Sequence, residues 1–353
     1  MLKLPGLIDV HVHLREPGGE HKETVASGTA AALAGGVVGV LEMPNTRPPT
    51  CDAATLALKQ AIHRANARCD TGLFLGADGR DLASVRVLAG QVVGLKLYLG
   101  QTFGDLIISD AGLLPPLWET WPGPGPICVH VESPQALAQA LALSERYHTP
   151  LHVAHVNGRE LLRLVLDAKG RGLPVTCETT PTYLWLTRDD EPRLGPFARV
   201  KPPLGSAEDL AALWQHLDDI DCLATDHAPH TREEKLSSTP PPGLPGVETL
   251  LPLMLTAVHQ GRLDLRRLIA LTHDNPLRIF PITPPAESWV EVDPDERYTL
   301  RGDQLLTKCG WTPFETREVV GRVLRTWLRG RLAYEAGTVL AEPGTGRDLV
   351  RRA

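Results

Sequence analysis

Two histidines stand two residues apart in an apolar run near the start of the chain, His11 and His13 in LIDVHVHL (7–14). On a strand, that spacing presents both imidazoles to one face. They could grip a metal ion as a pair, or sit as two hydrogen-bonded histidines. His130 in ICVHVE and His155 in LHVAHV close later apolar runs, and Asp226 with His227 closes CLATDHAP. Four histidines and an aspartate at matching places in separate segments suit a divalent ion of the zinc type. Lys96 lies inside another apolar run, GLKLY (94–98), where a charged ammonium is costly. Such a lysine either pairs with a carboxylate or, as a free amine, takes up carbon dioxide. The carbamate is an anion that could bridge two metals about 3.5–4 Å apart, and the neighbouring histidines favour this second reading.

The chemistry follows from charge. Cyclic amides resist neutral water, whereas a metal lowers the pKa of bound water from about 16 to about 7. A metal-bridging hydroxide would attack the ring amide while the second ion polarises its carbonyl. Asp226 would take the proton as general base and return it, as general acid, to the leaving ring nitrogen. The same site could close the ring. Arg15 follows His13 by two residues, so its guanidinium could fork onto a substrate carboxylate. Asn45 in MPNT and His230 in DHAPH offer further contacts. Each has a plainer reading: a surface arginine, a turn asparagine, a solvated loop histidine.

These residues need elements that bring them together. Eight segments have strand character, starting near Leu7, Val37, Thr71, Val92, Ile127, Leu151, Val175 and Cys222. Their near-continuous Val/Leu/Ile content is what strands buried on both faces of a parallel sheet require. Stretches 53–67, 134–147, 158–171 and 207–217 between them have helical spacing. Strand and helix alternating in this way predict an α/β fold, a (β/α)8 TIM-type barrel, with an open doubly wound sheet as the competitor. The polar residues favour the barrel, because active-site residues from several strands meet at its C-terminal mouth. Residues 247–280 read as helical, ending at Asn275-Pro276. From about Ser288 short alternating strands are expected, so residues 5–285 would form the barrel. Residues 1–4 and 286–353 would form a small β appendage, and 236–246 a Pro/Gly-rich loop beside the mouth.

Composition narrows the function classes. The chain has 353 residues, 42% hydrophobic and 22% charged, with a net charge of −6. That balance gives no electrostatic reason to expect nucleic acid or an anionic membrane as partner. No apolar run approaches the roughly 20 residues of a spanning helix. The first residues lack the layout of a signal peptide. The six cysteines are scattered with no Cys-x-x-Cys pair, which points to buried thiols in the cytoplasm rather than a disulfide framework. A small-molecule substrate and a homodimer are expected.

Several stretches resemble dihydroorotases of the amidohydrolase superfamily, most closely the animal-type dihydroorotase domain. They are PGLIDVHVHLREPG (5–18), MPNTRPP (43–49), GLKLYL (94–99), ATDHAPHTREEK (224–235) and PPPGLPGVETLLPL (240–253), with NPLRIF and WTPFE further on. The resemblance covers essentially the whole chain. It implies reversible hydrolysis of L-dihydroorotate to N-carbamoyl-L-aspartate, a step of pyrimidine biosynthesis. It also implies two zinc ions (Zn2+). His11, His13, carboxylated Lys96 and Asp226 would hold one, and Lys96, His130 and His155 the other. Arg15, Asn45 and His230 would contact the substrate carboxylate, and Thr102-Phe103 would belong to a loop closing over it. Association with aspartate carbamoyltransferase is a further implication.

The sequence departs from the family pattern in three places. Ala154 stands where the animal-type domain has a cysteine which, with a glutamate matching Glu178, serves a third metal; no third zinc is expected here. Paired histidines become Thr182-Tyr183. A substrate-binding arginine becomes Lys201, which keeps the charge but not the planar fork. Two other readings share much of this pattern: a hydantoinase, dihydropyrimidinase or allantoinase, and a catalytically inactive dihydroorotase-like scaffold subunit. The first would leave Arg15, Asn45 and His230 without an anion, and the second should have lost metal ligands.

Overall fold

A computed structural model of the chain describes residues 1–100 and 105–351. β1 (Leu2–Pro5) leads into β2 (Leu7–Val12), whose six residues are all buried. β3 (Val37–Glu42) and β4 (Asp70–Leu73) lie parallel beside it in the order β2-β3-β4. A second parallel sheet runs through β5 (Leu75–Gly76), β6 (Leu95–Tyr98), β7 (Ile127–His130), β8 (Leu151–Val153), β9 (Val175–Thr179) and β10 (Cys222–Leu223), each beside the next. The single strand expected from Thr71 is therefore divided at Phe74 between the two sheets. Phe74 itself is buried, edge-on to Phe280 with ring centroids 5.9 Å apart. At the other end of the series, Val12 bridges His227 in parallel, and the His13 amide donates to the His227 carbonyl at 2.7 Å. Parallel strands arranged in this way fit a barrel.

Burial on both faces explains the apolar strands. One buried cluster joins Ile8, Val10, Leu41, Phe74, Val93, Cys128, Ala154 and Cys222, while a larger one includes residues of the flanking helices. Helices Ala53–Asn66, Pro134–Tyr147, Arg159–Gly170 and Ala207–Gln215 occupy the stretches expected to be helical. Asp52, Ser133 and Ser206 cap three of them through their side chains, satisfying amides that a helix start leaves open.

Two expectations need correction. The helical stretch does not end at Asn275-Pro276. It runs as Leu250–His259, Leu265–Ile269, a π-helical turn Ala270–Asp274, and a last helix Asn275–Ile279 with Pro276 in its first turn. Proline lacks a donor that is unused at that position, so it starts this helix instead of stopping the previous one. The C-terminal strands are also not all short. β11 (Trp289–Thr299) and β12 (Glu318–Leu328) have 11 residues each, followed by β13 (Arg331–Glu335) and β14 (Thr338–Val339). β11 contains the polar run Asp293-Pro294-Asp295-Glu296. In the fold it is an irregularity in register between Asp293 and Arg297, within a continuous strand. β1 joins this antiparallel sheet beside β11.

The end of the chain then returns to the parallel strands. Asp348 bridges Thr71, Val350 bridges Ile282, and Leu349 joins the cluster that contains Ile8 and Phe74. Leu349→Ala should therefore cost about 2–5 kcal/mol in urea unfolding, despite its place four residues before the last. A loss below about 0.5 kcal/mol, the size of an ordinary surface change, would show that the tail is not part of this core.

Candidate active site

The chemistry-bearing residues fall where the parallel strands end. His11 lies in β2 with His13 one residue beyond it, Lys96 lies in β6, and His130 ends β7. His155 follows β8 by two residues and Asp226 follows β10 by three. All six line one cavity of about 440 Å³, together with Arg15, Asn45, Tyr98 and Lys201.

Asp226 is the meeting point of one half. Its Oδ1 lies 3.5 Å from His11 Nε2 and 3.1 Å from His13 Nε2. One ligand atom from each of the three falls within 4.8 Å of the others. Burial pushes the Asp226 carboxyl up, but His11, His13 and Lys96 outweigh it and hold the pKa at about 2. Burial lowers His13 to about 3 against the pull of Asp226. In the other half, His130 Nδ1 and His155 Nε2 approach to 2.9 Å. Two ring nitrogens that close share either a proton or a cation. Burial lowers the pKa of both rings, His155 well below the usual histidine value. Neutral imidazoles beside an ionised carboxylate are the forms that ligate a metal.

Lys96 is fully buried. Its Nζ lies 3.8 Å from Cys128 Sγ and 5.4 Å from the centre of the Tyr98 ring. Among the described residues it forms no ion pair with a carboxylate. Tyr98 adds a residue that sequence reasoning overlooked: its hydroxyl is buried at the cavity with no hydrogen-bond partner among the described residues. Backbone conformation marks the site too. Arg15, His155 and Asp226 have φ of 66°, 37° and 47°, a left-handed region that residues other than glycine seldom adopt.

A layer of acceptors aims the rings. Glu178 in β9 binds His11 Nδ1, accepts from the His155 amide at 3.3 Å, and binds His152 Nε2 at 3.1 Å. Burial raises its pKa, but the two imidazoles hold it well below the usual carboxylate range. The Glu178 contact fixes the His11 ring with Nε2 facing Asp226. Asn45 Oδ1 does the same for His13 Nδ1 at 2.8 Å, so the amide expected to hold substrate also orients a histidine. Glu132 binds His130 Nε2 at 3.1 Å and reaches Lys201 Nζ at 3.6 Å. Glu132 was not anticipated. Its signal was the alternation in His130-Val131-Glu132, which sends both side chains the same way.

Arg15 is buried, donates through Nε to the Pro229 carbonyl at 3.0 Å, and places Nη2 3.1 Å from His230 Nε2. His230 is buried between Arg15, Lys22 and Glu234, not solvated on a loop. Burial and the two cations lower its pKa. A second cavity of about 730 Å³ shares His13, Arg15 and Asn45 and continues past Lys22 and Arg47, with Glu42 and Glu234 also in its walls. Of the departures from the family pattern, Ala154 is packed in the apolar cluster. Tyr183 is buried with its hydroxyl donating to the Pro202 carbonyl at 2.7 Å. Thr102 and Phe103 lie outside the described residues.

The fold is similar to that of amidohydrolase barrel enzymes. L-hydantoinase (dihydropyrimidinase) of Arthrobacter aurescens superposes with a TM-score of 0.94 at 27% identity, covering 99% of this chain and 89% of that one. A dihydro-orotase-like family model matches residues 1–92. The multifunctional protein CAD of Squalus acanthias is 47% identical over 350 residues, which is 99% of this chain but 16% of that protein. The dihydroorotase of Pyrococcus furiosus is 34% identical over 370 residues, 99% of this chain and 85% of the archaeal protein. The chain belongs to the dihydroorotase-like family.

If Glu178 fixes the His11 tautomer, Glu178→Gln should weaken zinc binding about 10–100-fold in a chelator competition, with an unchanged circular dichroism spectrum. Unaltered affinity would remove Glu178 from that role.

Proposed function

We propose that this chain is a zinc-dependent dihydroorotase built on a closed (β/α)8 barrel. The observation that carries the reading is the convergence of His11, His13 and Asp226 with the His130–His155 pair in one cavity, together with buried Lys96 of β6 and buried Arg15. The Val12–His227 bridge supports closure of the two parallel sheets on each other.

The donor set fits divalent ions: neutral nitrogens, an ionised carboxylate, and an amine with no carboxylate partner among the described residues. Two zinc ions, one held by His11, His13, carboxylated Lys96 and Asp226, the other by Lys96, His130 and His155, would supply an activated water and polarise the amide carbonyl. Asp226, kept anionic by its imidazole neighbours, takes the proton of the attacking water and delivers it to the ring nitrogen as the C–N bond breaks. Arg15 forks onto the substrate carboxylate, braced by Pro229 and His230. Asn45 keeps its amide donors while its oxygen holds His13, and Lys201 adds charge beside Glu132. A third ion forms no part of the proposal. Ala154 offers no thiol, and Glu178 already binds His11 and His152.

The hydantoinase reading draws support from the structural likeness and shares the metal-binding core. The buried Arg15–His230 pair favours a substrate that carries a carboxylate, as dihydroorotate does and dihydrouracil does not. An inactive scaffold fits less well, because every residue of the proposed metal set is present. The match to a segment of a multifunctional protein supports adding, as part of this proposal, a working association with aspartate carbamoyltransferase.

The test is turnover by the zinc-loaded protein. It should open dihydroorotate and close carbamoyl aspartate; turnover of dihydrouracil with neither of these would transfer the assignment to the hydantoinase group. Asp226→Asn should lower kcat about 10²–10⁴-fold while the protein stays folded, and near-normal rates would remove Asp226 from proton transfer. Arg15→Ala should raise KM for dihydroorotate about 10–100-fold, the loss of a charged hydrogen-bond pair, with zinc content intact. An unchanged KM would show that Arg15 does not hold the carboxylate.

A further inference from the structure

Away from the candidate site, at the ends where the parallel strands begin, the chain forms another cavity of about 770 Å³. Its walls come from the last turns of helix Ala53–Asn66, the start of β4, Gln91 and the returning tail Gly346–Asp348. None of these residues lines the active-site cavities.

His63 is the telling residue. It lines this cavity and is 4% exposed, yet neither ring nitrogen has a hydrogen-bond partner among the described residues. Burial and nearby Lys59 push its pKa down to about 3, so the ring is neutral and presents one donor and one acceptor. A buried imidazole with both nitrogens unpaired is an expensive arrangement, and a polar group entering the cavity would relieve it. Around His63 stand Gln60, Thr71 and Gln91, with Arg64 and Arg347 exposed at the rim. Neither guanidinium forms an ion pair among the described residues. Asp348 is the one carboxylate lining the cavity among them.

We propose that this cavity binds a small organic phosphate of mononucleotide size, its phosphate between Arg64 and Arg347 and its polar body hydrogen-bonded to His63. Guanidinium forks match phosphate oxygens in geometry as well as charge. The neutral ring and the flanking amides suit the uncharged, hydrogen-bonding remainder of such a molecule. Because Gly346–Asp348 forms one wall while Leu349 next to it is packed in the apolar cluster, an occupant would also fasten the tail to the parallel strands.

Calorimetric titration of the zinc-loaded protein tests this with inorganic phosphate, ribose 5-phosphate, uridine and adenosine 5′-monophosphates, and succinate. At least one organic phosphate should bind with a Kd below about 1 mM and more tightly than inorganic phosphate. Arg64→Ala and Arg347→Ala should each weaken it about tenfold or more with turnover unchanged, and His63→Leu should weaken it further. Should His63→Leu fail to fold, the two exposed arginine variants still locate the site. The proposal is overturned if no organic phosphate binds, if succinate binds as tightly, or if binding survives both arginine substitutions.

Discussion

The site depends on keeping several buried imidazoles neutral and aimed inward around one ionised carboxylate. Burial by itself would neutralise Asp226; the imidazoles beside it and the amine of Lys96 hold it anionic. Burial in turn strips the proton from His13, His130 and His155. A buried ring with one unsatisfied nitrogen would turn toward any partner it could find. Glu178, Asn45 and Glu132 prevent this by occupying the far nitrogens of His11, His13 and His130. The rest of the architecture brings Glu178 of β9 and Asn45 after β3 behind rings carried by β2, while Glu132 reaches back to His130 at the end of its own strand.

The same logic extends behind the strand ends. Asp9 in β2 accepts from the Thr225 amide at 3.0 Å and from its hydroxyl, which fixes the segment leading to Asp226 against the strand that carries His11. His227 Nδ1 accepts from the Gly246 amide at 3.1 Å, tying the Pro/Gly-rich loop to the same segment. Glu23 lies 3.5 Å from His227 Nε2 and accepts from the Thr307 hydroxyl at 2.6 Å. A continuous polar path thus runs from the C-terminal part of the chain to the base of Asp226, through residues that touch neither cavity of the site. Buried polar groups linked in this way favour one arrangement of loop, segment and strand.

How much of this could be read from the residues depended on how local the signal was. His11 and His13 announced themselves by a spacing of two, and His130, His155 and Asp226 by being polar at the ends of apolar runs. Those features belong to single strands, and the structure gathers them in one cavity. Glu132 also carried a local signal, its spacing of two from His130. The orienting role of Glu178 was not legible, because it acts on residues of other strands and the register between strands is not written in any one of them. Asn45 shows the same limit: the sequence offered it to substrate, and the fold also gives its oxygen to His13. Pro276 misled for a different reason. The local stop signal there is overruled by a helix that can start on proline.

Arg15, His155 and Asp226 hold their side chains from a left-handed backbone, at a cost of order 1–3 kcal/mol each. Glycine would adopt that geometry without strain, so at all three places the residue that best suits the chain is one that would remove a side chain of the proposed site. Selection for durability and selection for turnover therefore pull these positions in opposite directions. Any lineage in which the activity ceased to matter would be free to relax here first.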